Sequence, residues 1–102
     1  MTREEFEMAV REAHRLVTTE TAHMSLQPDD VVIEVNPVTF AKLMADEVIT
    51  PIESTSPNWS LAPSRDTYME TSDGHPVRST RRVRGARQVR GIFEAEAWVR
   101  VP

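Results

Sequence analysis

The sequence predicts an α+β domain spanning residues 1–102. The expected order is an N-terminal helix, a strand, a second helix, a long loop, and a three-stranded antiparallel meander carrying an Arg-rich hairpin arm. Three observations point there. An apolar stripe at helical spacing opens the chain, Asn36-Pro37 joins a short apolar strand to a second helical pattern, and two short turns line up a single apolar parity across residues 69–101.

Residues 3–23 read as a helix because Phe6, Ala9, Val10, Ala13, Leu16 and Val17 recur on one face. Thr2 supplies an N-cap and Glu5 its capping-box partner. Glu4 and Glu5 also suit the positive end of the helix dipole. Glu7, Arg11 and Arg15 are spaced to pair along the solvent face. Glu20 falls on the extension of the stripe, as a buried acid, a fraying end, or the partner of an arginine.

Gln27-Pro28-Asp29-Asp30 is a turn. Val31, Ile33 and Val35 then alternate onto one face of a strand. Asn36 is a cap residue and Pro37 fits the first helical position. The second helix is expected to run to about Ile49, burying Phe40, Ala41, Met44, Ala45 and Val48, before Thr50-Pro51 stops it. Residues 50–66 form a Pro/Ser-rich loop, in which Trp59 is either a lid over the core or a binding anchor.

The rest reads as strands. Ser72-Asp73-Gly74 suits a three-residue hairpin loop with Gly74 left-handed, which sets Met69 opposite Val77. A second loop at Gly85-Ala86-Arg87 sets Val83 opposite Val89 and Val77 opposite Ala95. Met69, Val77, Val83, Val89, Phe93, Ala95, Ala97, Val99 and Val101 then share one face.

Charge is unevenly placed. Residues 1–62 carry four basic and eleven acidic side chains, a net −7, and residues 63–102 carry eight basic and five acidic, a net +3. Six of the arginines fall within residues 78–90. In the expected register Arg78, Arg82, Arg84 and Arg90 leave the apolar face, Arg78 lies opposite Glu94, and Arg82 faces Arg90 unfavourably. Arg78, Arg82, Arg84, Arg87 and Arg90, with Trp59, are therefore the candidate partner-binding residues. The arm has three fates: contact with phosphates, docking on an acidic protein surface (including a second copy), or a solvated edge that discourages aggregation. Near-absence of lysine, the acidic total and the lack of interleaved aromatics disfavour nucleic acid.

No nucleophile elbow, phosphate-binding loop, dinucleotide fingerprint or zinc-protease motif is present. His14 and His23 are too far apart on one helix to share a metal. Asp73 and His75 offer two ligands where zinc wants three or four, and Ser72, Asp73 and His75 crowd one turn without relay geometry. Glu34 and Glu70 are carboxylates expected on neighbouring strands, a weak sign of catalysis. No enzyme activity, metal or cofactor is expected. The chain has no cysteine, no apolar run of membrane length, and an acidic amphipathic start instead of a signal peptide, so a cytoplasmic setting is expected.

"IEVNPVTFAKLM", a following strand, "DGHPVRS" and a final apolar strand together resemble small proteins of tailed bacteriophages. Similar wording occurs near the C-terminal part of some phage capsid proteins, where a strand ending in Asn-Pro leads into a helix and a Gly-x-Pro-Val segment sits on a hairpin. The resemblance covers residues 31–101. The proline-rich loop, the arginine arm and the first helix lie outside the pattern, and it transfers no functional residue. It implies a non-enzymatic virion structural or accessory protein acting through protein contacts, in a virion or host cytoplasm. The alternatives are an inhibitor that docks on an acidic surface of a host or defence protein, and a nucleic-acid-binding accessory protein.

Overall fold

The computed structural model describes residues 1–22, 25–52 and 69–102. His23 and most of the proline-rich loop, with Trp59, lie outside the described residues. The architecture is α+β. Helix α1 (Arg3–Thr21) and helix α2 (Pro37–Ala45) accompany strands β1 (Val32–Val35), β2 (Thr50–Pro51), β3 (Met69–Glu70), β4 (Pro76–Ser79), β5 (Gln88–Ile92) and β6 (Glu96–Arg100). The strands form one mixed sheet in the order β2-β3-β4-β1-β5-β6.

Helix α1 starts as its sequence dictates. The Thr2 hydroxyl accepts from the Glu5 N–H at 3.1 Å, and the Glu5 carboxylate accepts from the Thr2 N–H at 2.8 Å. Phe6, Ala9, Val10, Ala13 and Val17 are buried against the sheet, while Glu20 is exposed. On its solvent face the helix pairs Arg3 with Glu7 and Glu12 with Arg15, in place of the pairing expected among Glu7, Arg11 and Arg15.

The contact between α1 and β5 is set by Gly91. A β-carbon at Gly91 would lie 3.0 Å from the β-carbon of Ala13 and 3.4 Å from its carbonyl oxygen. Two small residues therefore let the helix touch the strand. Gly91→Val should push α1 off the sheet and cost about 2 kcal/mol in a denaturant titration, as overpacking does. Parent-like stability would show that the contact has slack.

Helix α2 is capped by Asn36, whose Oδ1 accepts from the Val38 N–H at 2.8 Å, with Pro37 at the first helical position. It ends at Ala45, earlier than expected, and its buried face differs. Thr39 and Leu43 are buried, Phe40 is partly buried, and Ala41, Met44 and Ala45 are exposed. Val48 is buried, but through the turn after the helix, where Glu47 takes a positive φ of 56° and the Val48 N–H donates to the Leu43 carbonyl at 2.9 Å. That turn resets the helical spacing on which Met44 and Val48 had shared a face.

The first hairpin has the expected register, with Met69 opposite Val77 and Gly74 at φ 95°. The second expected pairing is replaced. Strand β1 lies between β4 and β5, parallel to the first and antiparallel to the second. Residues 80–87 thus arch across the end of β1 instead of closing a tight hairpin. The reason is apolar content: Val31, Ile33 and Val35 are fully buried, which suits a central position. The apolar parity survives the change in neighbours: Met69, Val77, Val83, Val89, Ala97 and Val101 are buried, and Phe93, Ala95 and Val99 are partly covered. Glu94 and Glu96 are exposed.

Candidate functional site

The arginine segment is built on a pinned loop. The Thr80 N–H donates to the Val35 carbonyl at 3.0 Å, and the Val83 N–H returns to the Thr80 carbonyl at 3.3 Å. Asn36, which caps α2 with its oxygen, donates through Nδ2 to the carbonyls of Val83 and Arg84 at 3.1 and 3.2 Å. The Thr39 hydroxyl donates to the Ala86 carbonyl at 2.9 Å. The Gln88 side chain accepts from the Gly85 N–H at 3.0 Å. Val83 is fully buried and anchors the middle of the loop. Arg81, Arg82 and Arg84 project from this frame, exposed, and none forms an ion pair with a carboxylate among the described residues. Arg81 had not stood out in the sequence.

The other arginines are used inside the fold. The registers place Arg78, Glu34 and Arg90 side by side on β4, β1 and β5, with Trp98 of β6 next in the row. Buried Glu34 accepts from Arg78 Nε at 2.6 Å and from an Arg90 terminal nitrogen at 2.8 Å. Arg90 also binds Glu96, and its guanidinium lies 5.4 Å from the Trp98 ring centroid. The facing arginines of the expected hairpin do not arise, since β1 brings a carboxylate between β4 and β5. Arg78 faces Glu34, not Glu94. Arg87 binds Glu5 at 2.8 Å and donates to the carbonyls of Val101 and Pro102. With Arg84 and Arg100 it lines a hollow of about 410 Å³. The Thr2 N–H holds the Glu5 carboxyl below its usual range against the opposing effect of burial, with the Arg87 charge adding to the lowering. Likewise Arg90 lowers Glu96 against burial, with Trp98 adding a hydrogen bond and Arg82 a weaker charge attraction.

A second cluster was not legible in the sequence. His75, buried on the hairpin turn, meets His14 of α1, 61 residues away, with Nε2 and Nδ1 2.8 Å apart. His75 Nδ1 contacts Asp73 at 2.8 Å, and His14 Nε2 contacts the Leu26 carbonyl at 3.1 Å. Thr71 donates its hydroxyl to Asp73 and accepts from the His75 N–H at 3.0 Å. Burial pushes the Asp73 carboxyl up, but the hydrogen bonds from Thr71 and His75 and the His75 charge outweigh it and hold the group below its usual range. The cluster borders an open groove of about 510 Å³ on the Arg11–Thr19 side of α1.

All four ring nitrogens of the pair are engaged, which suits a strut between α1 and the hairpin better than a base or metal ligand. Among the described residues no cluster of three or more metal-ligating side chains occurs, and no helix is long and apolar enough to cross a membrane. Glu34 and Glu70 do not meet as a carboxylate pair, since β4 separates their strands. No family model, curated protein or solved structure matches the chain.

Proposed function

We propose that this chain is a non-enzymatic protein-binding domain whose Arg81, Arg82 and Arg84 take carboxylates from another protein. The observation that carries this reading is the pinned loop: three exposed arginines stand on a frame fixed by backbone and side-chain hydrogen bonds, so little order has to be gained on binding. Guanidinium groups bind carboxylates in a bidentate fashion, and such contacts gain when a partner excludes water. Arg82 and Arg84 belong to the set expected from sequence. Arg78, Arg87 and Arg90 support the fold instead, through Glu34, Glu5 and Glu96. The role we assign is a bacteriophage virion structural or accessory component, in the virion or host cytoplasm, and its support is the resemblance over residues 31–101.

The test replaces Arg81, Arg82 and Arg84 together with glutamine. Melting should stay close to the parent, because none of the three holds an ion pair among the described residues. Binding to an oligoglutamate peptide at low salt should be lost, and in the parent it should weaken as salt rises. Equal peptide binding by parent and variant would reject the reading. Preferential binding of the parent to duplex DNA over the acidic peptide would replace it with a phosphate-binding one.

A further inference from the structure

We infer that the free edge of β6 is a self-complementary seam on which a second copy of this chain docks. β6 ends the sheet and pairs only with β5 among the described residues. The Val101 N–H donates to the Arg87 carbonyl, and the Ala95 carbonyl accepts from the Phe93 N–H. Odd-numbered residues of this strand therefore turn their amides toward β5. Glu96, Trp98 and Arg100 turn theirs to the open edge, because the direction alternates along an antiparallel strand.

The side chains along that edge read as their own complement. An antiparallel pairing centred on Trp98 sets Glu96 opposite Arg100 of the second copy, and Arg100 opposite its Glu96. The two Trp98 rings meet at the two-fold axis, and the outward amides of all three residues find partners. Centring on Glu96 or Arg100 would instead set like charges face to face, which is unfavourable. An isologous contact of this kind closes on itself. The edge carries no proline or bulge of the sort that blocks such pairing.

A separate feature runs beside the same edge on the α1 side. Met8, Ala9, Val99 and Pro102 line a groove of about 470 Å³. Met8 is 64% exposed there, and on the other face Trp98 is 44% exposed. Two-fold pairing places both α1 helices on one face of a continuous sheet, with both grooves flanking the seam. The copies then cover Val99 and Met8 on one side and Trp98 on the other. This inference stands apart from the arginine loop, which lies on a different segment.

The experiment is sedimentation of the chain from micromolar to sub-millimolar concentration, with three variants. The parent should form a dimer. Arg100→Glu should weaken it at least about tenfold, since attraction becomes repulsion at both ends of the seam. The chain has no cysteine, so Trp98→Cys gives a single reporter that should cross-link to itself on oxidation. Met44→Cys, on the exposed face of α2, should not. The Arg81, Arg82 and Arg84 glutamine variant should dimerise like the parent, even if its peptide binding is lost. A parent that stays monomeric, a dimer indifferent to Arg100→Glu, or cross-linking as fast at 44 as at 98 would overturn the inference. Loss of the dimer in the glutamine variant would also overturn it, by moving self-association to the loop.

Discussion

Glu34→Ala should destabilise the domain by about 4 kcal/mol, within the range for breaking a buried ion pair by removing one partner. Glu34 is almost fully buried and holds two guanidinium groups, one from each flanking strand. Their shares differ. The Arg78 side chain is 42% exposed, so water screens its attraction and its loss should cost about 1 kcal/mol or less. The Arg90 side chain is 14% exposed, and its buried Nε has no hydrogen-bond partner among the described residues. Without Glu34 it would keep Glu96 alone at the sheet surface, and most of the loss follows from that. Domains are stable by only about 5–15 kcal/mol, so this one change removes a large share. Urea titrations should therefore rank the variants Glu34→Ala, then Arg90→Gln, then Arg78→Gln. A Glu34→Ala cost under 1 kcal/mol would mean that water reaches the row.

That row shows which parts of the molecule were legible in the sequence. The start of α1 was, because Thr2 and Glu5 are three residues apart and complete their cap locally. The first hairpin was too, since Gly74 fixes the turn and the turn fixes Met69 opposite Val77. The place of β1 was not. Inserting it between β4 and β5 leaves the buried parity of both strands unchanged, so apolar alternation cannot distinguish that sheet from a meander. The partners of the arginines followed the topology: Glu34 is 44 residues from Arg78 and 56 from Arg90, and Glu5 is 82 from Arg87. The uneven charge of the two halves is thus answered partly within the fold. Arg81, Arg82 and Arg84, on the loop made necessary by the crossing over β1, form no ion pair among the described residues, although the Arg82 charge still reaches Glu96.

His75→Ala should cost about 3 kcal/mol, because it opens a hole at a buried site and strands polar atoms of His14 and Asp73. The hydrogen-bond directions in the cluster follow from the partners, and the pH dependence from Asp73. The Leu26 carbonyl can only accept, so His14 Nε2 must donate. Asp73, held ionised by its partners, also accepts, so His75 Nδ1 must donate. The contact between the two rings needs a proton of its own. On the acid side the sign comes from Asp73. Its folded carboxyl titrates below the unfolded value, so its contribution is present above that value and is lost as pH falls through the lowered one. The parent should thus lose stability on the acid side, and His75→Ala, which removes one of the groups that lower Asp73, should flatten that limb. Melting curves across pH would decide the point: an acid limb equally steep in parent and variant would place the pH dependence elsewhere.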